Sequence, residues 1–144
     1  MDVLSDANID KAIVHPASII STNGSGYSDT HGKTGEIVHP RSFGTFPRIL
    51  SKYVLGKRIL HWEEAVKKMT LMPAQKFGLE KRGALKEKYF ADVIILNRDE
   101  IRDLATPENP YQYSRGIDFV LVNGKIVMQS GVYNGGRFGE IIRR

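Results

Sequence analysis

Residues 117–128 read Ile-Asp-Phe-Val-Leu-Val-Asn-Gly-Lys-Ile-Val-Met, and few stretches leave a chain less choice. Two β-branched apolar runs are separated by Asn123-Gly124 alone. The turn that matches the twist of a two-residue hairpin needs positive φ at both central positions, which asparagine tolerates and glycine adopts freely. A hairpin of Ile117 to Val122 and Lys125 to Met128 is therefore expected. Ala91 to Leu96 (Ala-Asp-Val-Ile-Ile-Leu) supplies a further strand. Thr106 to Ser114, with Pro107 and Pro110, reads as the loop between them. The tail after about residue 79 is an antiparallel β unit.

The front of the chain has a different period. Ser5 to Val14 is expected to be a helix, capped by Ser5 or Asp6, with Ile9, Ala12 and Ile13 on one face. His15-Pro16 ends it, since proline disfavours the α conformation in the residue before it. Ala17-Ser18-Ile19-Ile20-Ser21 follows as an expected buried strand. Asn23 to Arg41 is rich in Gly, Ser, Thr and Asp and lacks apolar periodicity, the mark of a long functional loop. Phe43 to Val54 is expected to be helical after Pro47. Trp62, Ala65, Val66 and Met69 recur at helical spacing, with Glu63 and Glu64 in the first turn and Lys67 and Lys68 near the end. Pro73 restarts a short helical turn that Gly78 closes. Helices alternating with a strand, then a run of strands, indicate an α/β front (1–78) and a β tail (79–144).

Composition narrows the functional classes. The 144 residues include no cysteine, which removes disulfide frameworks, thiol catalysis and Cys-ligated metals. No apolar run approaches the roughly 20 residues of a membrane span. Met1-Asp2-Val3-Leu4-Ser5-Asp6 lacks the basic-then-apolar pattern of a secretory signal, so a soluble cytoplasmic protein without membrane partners is expected. The net charge is +5. The basic residues are nevertheless scattered and interrupted by Glu63, Glu64, Glu80 and Glu87, without the interleaved aromatics of a nucleic-acid groove. A nucleic-acid partner would rest on charge alone and is not expected.

Three motifs invite chemistry. Gly32-Lys33-Thr34 resembles the end of a phosphate-binding loop, but the spacing calls for glycine at 27, which is Tyr27, and no helix follows. The histidines, His15, His31, His39 and His61, form no HxH or HExxH pair for a metal; His31 and His39 share one loop and could approach. His39-Pro40-Arg41-Ser42-Phe43-Gly44-Thr45-Phe46-Pro47-Arg48 is the most informative stretch. Arg41 would be a planar, permanently charged donor suited to a carboxylate.

That last string resembles the signature near the C-terminus of N-acyl-D-amino-acid deacylases, the D-aminoacylase branch of the amidohydrolase superfamily. His15-Pro16 through Asn23-Gly24 resembles the family's last barrel strand. Trp62-Glu63-Glu64-Ala65-Val66-Lys67-Lys68-Met69-Thr70 with Pro73-Ala74 resembles its final barrel helix. Gly83-Ala84-Leu85, Ala91 to Ile95 and Phe119 to Lys125 resemble its small closing β domain. The resemblance covers nearly the whole sequence. It implies the C-terminal segment of a metal-dependent (β/α)₈ barrel followed by a small antiparallel β unit. It also implies hydrolysis of N-acyl-D-amino acids, with zinc activating a water and an aspartate moving its proton.

The sequence departs from that pattern twice. The HxH and other metal ligands of the family lie upstream of the matching part, so no cofactor is expected in this chain alone. Thr22-Asn23-Gly24 stands where the family has Ser-Asp-Gly, so Asn23 marks the catalytic aspartate's position without its carboxylate. Arg41 matches the family's substrate-binding arginine. The resemblance implies a chain inactive alone, with an upstream barrel half or a second copy as partner. A binding or interaction module without catalysis is the alternative.

Overall fold

The computed structural model describes residues 4–27, 32 and 34–142. Helix α1 spans Asp6–Val14, α2 Arg41–Arg48, α3 Trp62–Met69 and α4 Leu71–Lys76; a π-helix over Ile49–Gly56 continues α2. Strands β1 (Val93–Leu96), β2 (Ile117–Val122), β3 (Lys125–Gln129) and β4 (Val132–Tyr133) make one antiparallel sheet in the order β1-β2-β3-β4.

The β unit forms as its sequence dictates. Asn123 has φ 49° and Gly124 φ 75°, the positive pair that a tight hairpin requires. The turn is also held from outside. Asp92 accepts from the Asn123 backbone N–H (2.9 Å) and from Arg82, and the Gly124 N–H donates to the Ala91 carbonyl (2.9 Å). β4 is an addition to the expected strands. Ser130-Gly131, at φ 47° and 80°, makes a second two-residue turn of the same kind, a dipeptide signal readable in the sequence.

In the front, α1 is capped by Ser5, whose hydroxyl accepts from the Asn8 N–H. Lys57 clamps the helix through both oxygens of Asp10 at 2.7 Å, and that bond raises the Lys57 pKa above the usual lysine value. Two expectations are corrected. Ala17 belongs to the turn that follows His15, and Ser18 to Ser21 form no strand, because no strand among the described residues lies beside them to complete a ladder. And the second helix begins at Arg41 rather than after Pro47. Pro40 sits at its N-cap and Pro47 lies inside it, where the missing N–H interrupts the i→i−4 ladder; the wider π turns follow directly.

The core gathers Ile49, Leu50, Tyr53 and Val54 of the π-helix with Leu60, Ala65 and Ile101. Ile9, Ile13 and Ile20 pack on it from the front and Leu96 and Ile117 from the sheet. Each fully buried side chain of this size is worth about 1.5–3 kcal/mol. Trp62 and Met69 pack at its edge as expected, Trp62 under the Arg98 guanidinium at 4.6 Å. The buried stripe of α3 is rotated from the expected one: Val66 is exposed, whereas Ala65 and Lys68 are buried.

Candidate functional site

Burial of Lys68 is the key to how the site end of the front is built. A lysine is almost never fully buried unless its ammonium is satisfied. Here the side chain is 1% exposed, and Nζ donates to the His15 carbonyl (2.5 Å), the Ser18 carbonyl (3.3 Å) and the Ser18 hydroxyl (3.0 Å). The Lys68 carbonyl in turn accepts from the Ile20 N–H at 3.2 Å. One residue of α3 thus holds Ser18 through its ammonium and Ile20 through its carbonyl, doing part of the work a neighbouring strand would do. From the sequence, Lys68 is placed only as one of two basic residues near the helix end and not in the core. The helical spacing of Ala65 and Lys68 beside the apolar stripe is the signal that could have found it.

The segment delivers Asn23 three residues beyond Ile20. Asn23 is exposed, at φ 45°, a conformation asparagine accepts more readily than most residues. Its N–H is directed to the Ser21 hydroxyl and the Gly24 N–H to the Thr22 hydroxyl. The Asn23 carboxamide makes no hydrogen bond among the described residues. Gly24 packs against Ser42 so closely that an added Cβ would lie 2.8 Å from its hydroxyl and 3.0 Å from its Cα. The turn carrying Asn23 therefore abuts the first turn of α2, one residue from Arg41.

The helix itself is shaped for that approach. The His39 ring Nδ1 accepts from the Arg41 N–H at 3.1 Å, as the His15 ring does from Ala17 at 3.2 Å. The two His-Pro pairs are thus turn devices in which the ring nitrogen is already occupied. Gly44 is buried against the Asp103 carboxylate, which would overlap any Cβ there. Asp103 accepts from the Ala105 N–H (3.1 Å) and pairs with Arg48 (3.4 Å), so the motif's glycine and second arginine serve one anchor. Arg41 differs. Its side chain is exposed, and its guanidinium has no acceptor among the described residues.

A strap from the tail holds the long loop. The Tyr111 hydroxyl donates to the Glu36 carbonyl at 2.8 Å, and its ring would lie 3.1 Å from a Cβ at Gly32. Phe43 meets Tyr111 (5.6 Å between centroids) and Tyr113 (5.9 Å), and Tyr27 meets Tyr111 edge-on. Burial, then the charges of Glu36 and Tyr27, push the Tyr111 pKa above the usual tyrosine value. The Thr106 to Ser114 stretch, expected as a plain connector, thus reaches the loop beside α2. His31 and Lys33, and with them the His31–His39 approach, lie outside the described residues.

The model of the Amidohydrolase family matches residues 26–128. The chain belongs to this family. An N-acyl-D-aspartate deacylase of Alcaligenes xylosoxydans xylosoxydans is 32% identical over 140 residues, 97% of this chain and 27% of that protein. The crystal structure of a D-aminoacylase superposes with TM-score 0.88 at 31% identity, covering 98% of this chain and 28% of that one. An N-acyl-D-glutamate deacylase from Bordetella bronchiseptica, solved with zinc and a phosphonate inhibitor that mimics the tetrahedral intermediate, gives TM-score 0.84 at 32% identity. The amidohydrolase chain described here spans about a quarter of the length of these relatives. It carries the corresponding part of their fold, with the small four-stranded sheet present.

A metal is the group this family implies. Among the described residues no three His, Asp or Glu side chains gather to hold one. The described side chains therefore do not make a metal centre by themselves. Among the described residues no helix is long and apolar enough to cross a membrane.

Proposed function

We propose that this chain forms one wall of an N-acyl-D-amino-acid deacylase-type site and is inactive until an upstream barrel half, or a second copy, completes it. The observation that carries this reading is the contact of Gly24 with Ser42, which sets the Asn23 turn beside Arg41, whose guanidinium has no acceptor among the described residues. Arg41 grips the carboxylate of an N-acyl-D-amino acid with its two-pronged donor face. Asn23 has no carboxylate and does not move a proton. It can only donate to or accept from the group bound there. Zinc and its ligands would come with the completing part. Residues 1–78 then act as the last αβ elements of the barrel and residues 79–144 as its small C-terminal β domain. A cytoplasmic location belongs to this proposal and is compatible with the cysteine-free composition.

The alternative, a binding module without hydrolysis, is favoured by Asn23 itself: the same wall could hold an acylated amino acid through Arg41 without turning it over. Co-expression with the upstream half of a related deacylase separates the two. The expected result is zinc-dependent hydrolysis of N-acetyl-D-amino acids with Asn23→Asp and little with the natural chain, since losing a positioned acid–base costs on the order of 10²–10⁴-fold. Arg41→Ala added to Asn23→Asp should raise KM by about tenfold or more. Assembly with metal bound but no gain from Asn23→Asp would refute the assignment of Asn23. Substrate binding abolished by Arg41→Ala, without hydrolysis in any variant, would establish the module.

A further inference from the structure

Asn-Gly occurs three times in this chain, at 23–24, 123–124 and 134–135. This pair is chemically labile because the glycine nitrogen, unshielded by any side chain, can reach the carboxamide carbon of the asparagine before it. The fold treats the three very differently. At Asn123 the carboxamide donates to the Phe138 carbonyl (2.6 Å) and accepts from Arg82 (3.3 Å), while the Gly124 N–H is tied to the Ala91 carbonyl. At Asn134 it donates to the Ile126 carbonyl (2.5 Å) and accepts from the Gly136 N–H (2.9 Å). Both are clamped at each end. At Asn23 the carboxamide has no partner among the described residues, the residue is exposed in a turn, and the Gly24 N–H meets only the Thr22 hydroxyl.

We infer that Asn23 is a self-modification site, converted by deamidation into an acid. The Gly24 nitrogen gives up its proton to solvent and bonds to the Asn23 Cγ; the Cγ–N bond to the amide breaks, and ammonia leaves with a proton from water. The five-membered imide that results is opened by water. Cleavage of the bond between nitrogen and Cγ returns the normal backbone with aspartate at 23. Cleavage at the main-chain carbonyl gives isoaspartate. The net change is carboxamide plus water to carboxylate plus ammonium, with no other reactant. The aspartate product carries a carboxylate on the turn that abuts α2 beside Arg41. Resting on the reading proposed above, this means that the wall matures with time from a proton-inert to a proton-accepting form.

The test is to incubate the freshly purified 144-residue chain in neutral buffer and map deamidation by peptide mass spectrometry, with Asn23→Asp as product standard. Freed of the hydrogen bonds that hold the other two carboxamides, Asn23 should react about tenfold faster than Asn123 or Asn134. In concentrated urea the three rates should converge, because the difference is made by the fold. Equal rates in native buffer, or an Asn23 that outlasts the others, would overturn the proposal. Aged and fresh chains are then each assembled with an upstream deacylase half. Activity that grows with the aspartate fraction, and not in an aged Asn23→Gln chain, supports both readings. Aspartate at 23 without activity, in an assembly that holds metal, leaves the modification site standing and refutes the assignment of Asn23 to the proton-moving position.

Discussion

Ser18 to Thr22 and β2 are both short stretches that lead into an Asn-Gly turn, and they meet the demands of their backbones in different ways. β2 is paired along both edges, by β1 and by β3. Ser18 to Thr22 has no strand beside it among the described residues; the Ile20 N–H goes to the Lys68 carbonyl, and the Ser18 carbonyl goes to the Lys68 ammonium. The β unit contains its own partners, while the front borrows side chains to replace them. The two Asn-Gly turns inherit this difference. Asn123 is locked by Asp92, Arg82 and Phe138, and Asn23 is left facing solvent next to Arg41. A closed network makes a stable corner; an open one leaves groups free for a ligand.

Breaking the front's substitute for a strand should have the largest effect. Lys68→Met takes away the donor that joins the His15 and Ser18 carbonyls. The His15 carbonyl keeps the Ser18 N–H and hydroxyl, but the Ser18 carbonyl loses its donor, at a cost of about 1–3 kcal/mol read from urea unfolding. In native-state hydrogen exchange the Ile20 amide should lose its protection while Val120 and Val127 keep theirs. Equal loss in both regions would mean that the chain does not divide its support in this way.

Next comes Gly44→Ala. Its Cβ must displace the Asp103 carboxylate, already bound by the Ala105 N–H and Arg48, and overpacking of this kind costs about 1–3 kcal/mol. Asp103→Ala in the same chain should make the added methyl tolerable, leaving the double variant less impaired than additivity of the two single changes predicts. An additive pair would show that the glycine is there for another reason.

These cases show what could be read beforehand. The hairpin was legible because two residues of unusual backbone freedom specify it locally. The helix of Trp62 to Met69 was legible from its period. That the Asn23 turn and the first turn of α2 belong to one place was suggested only by family resemblance, since Gly24 and Ser42 meet across a loop without periodicity. Lys68 was misread because a lysine's sequence context does not say whether its ammonium will find carbonyls. The strand expected at Ala17 to Ser21 shows that extended propensity alone makes no strand. The motif's Gly44 and Arg48 gained their reason only when Asp103, 55 residues beyond Arg48, was placed against them.

The smallest expected effect concerns the strap. Tyr111→Phe removes the bond to the Glu36 carbonyl and should slightly lower stability while loosening the loop ahead of α2. The Tyr111 pKa is raised in the folded chain, so its contribution is complete below the ordinary tyrosine value of about 10 and fades as pH rises through the higher folded value. The difference between natural and variant chains, followed by thermal unfolding, should therefore shrink in strong alkali. A difference that grew with pH would contradict the sign.

The placement of the Asn23 turn against α2 underlies both the proposed site and its maturation. A chain without cysteine allows it to be measured cleanly. A Cβ at Gly24 would lie 3.3 Å from that of Ser42, within a few tenths of an ångström of the roughly 3.5–4.5 Å spanned by a disulfide. The double variant Gly24→Cys/Ser42→Cys should therefore close an intramolecular disulfide under mild oxidation, shown by mass spectrometry of the cross-linked peptides and by loss of both thiols. Thiols that stay free in the folded monomer, or that link only one chain to another, would mean that Asn23 and Arg41 do not share a wall.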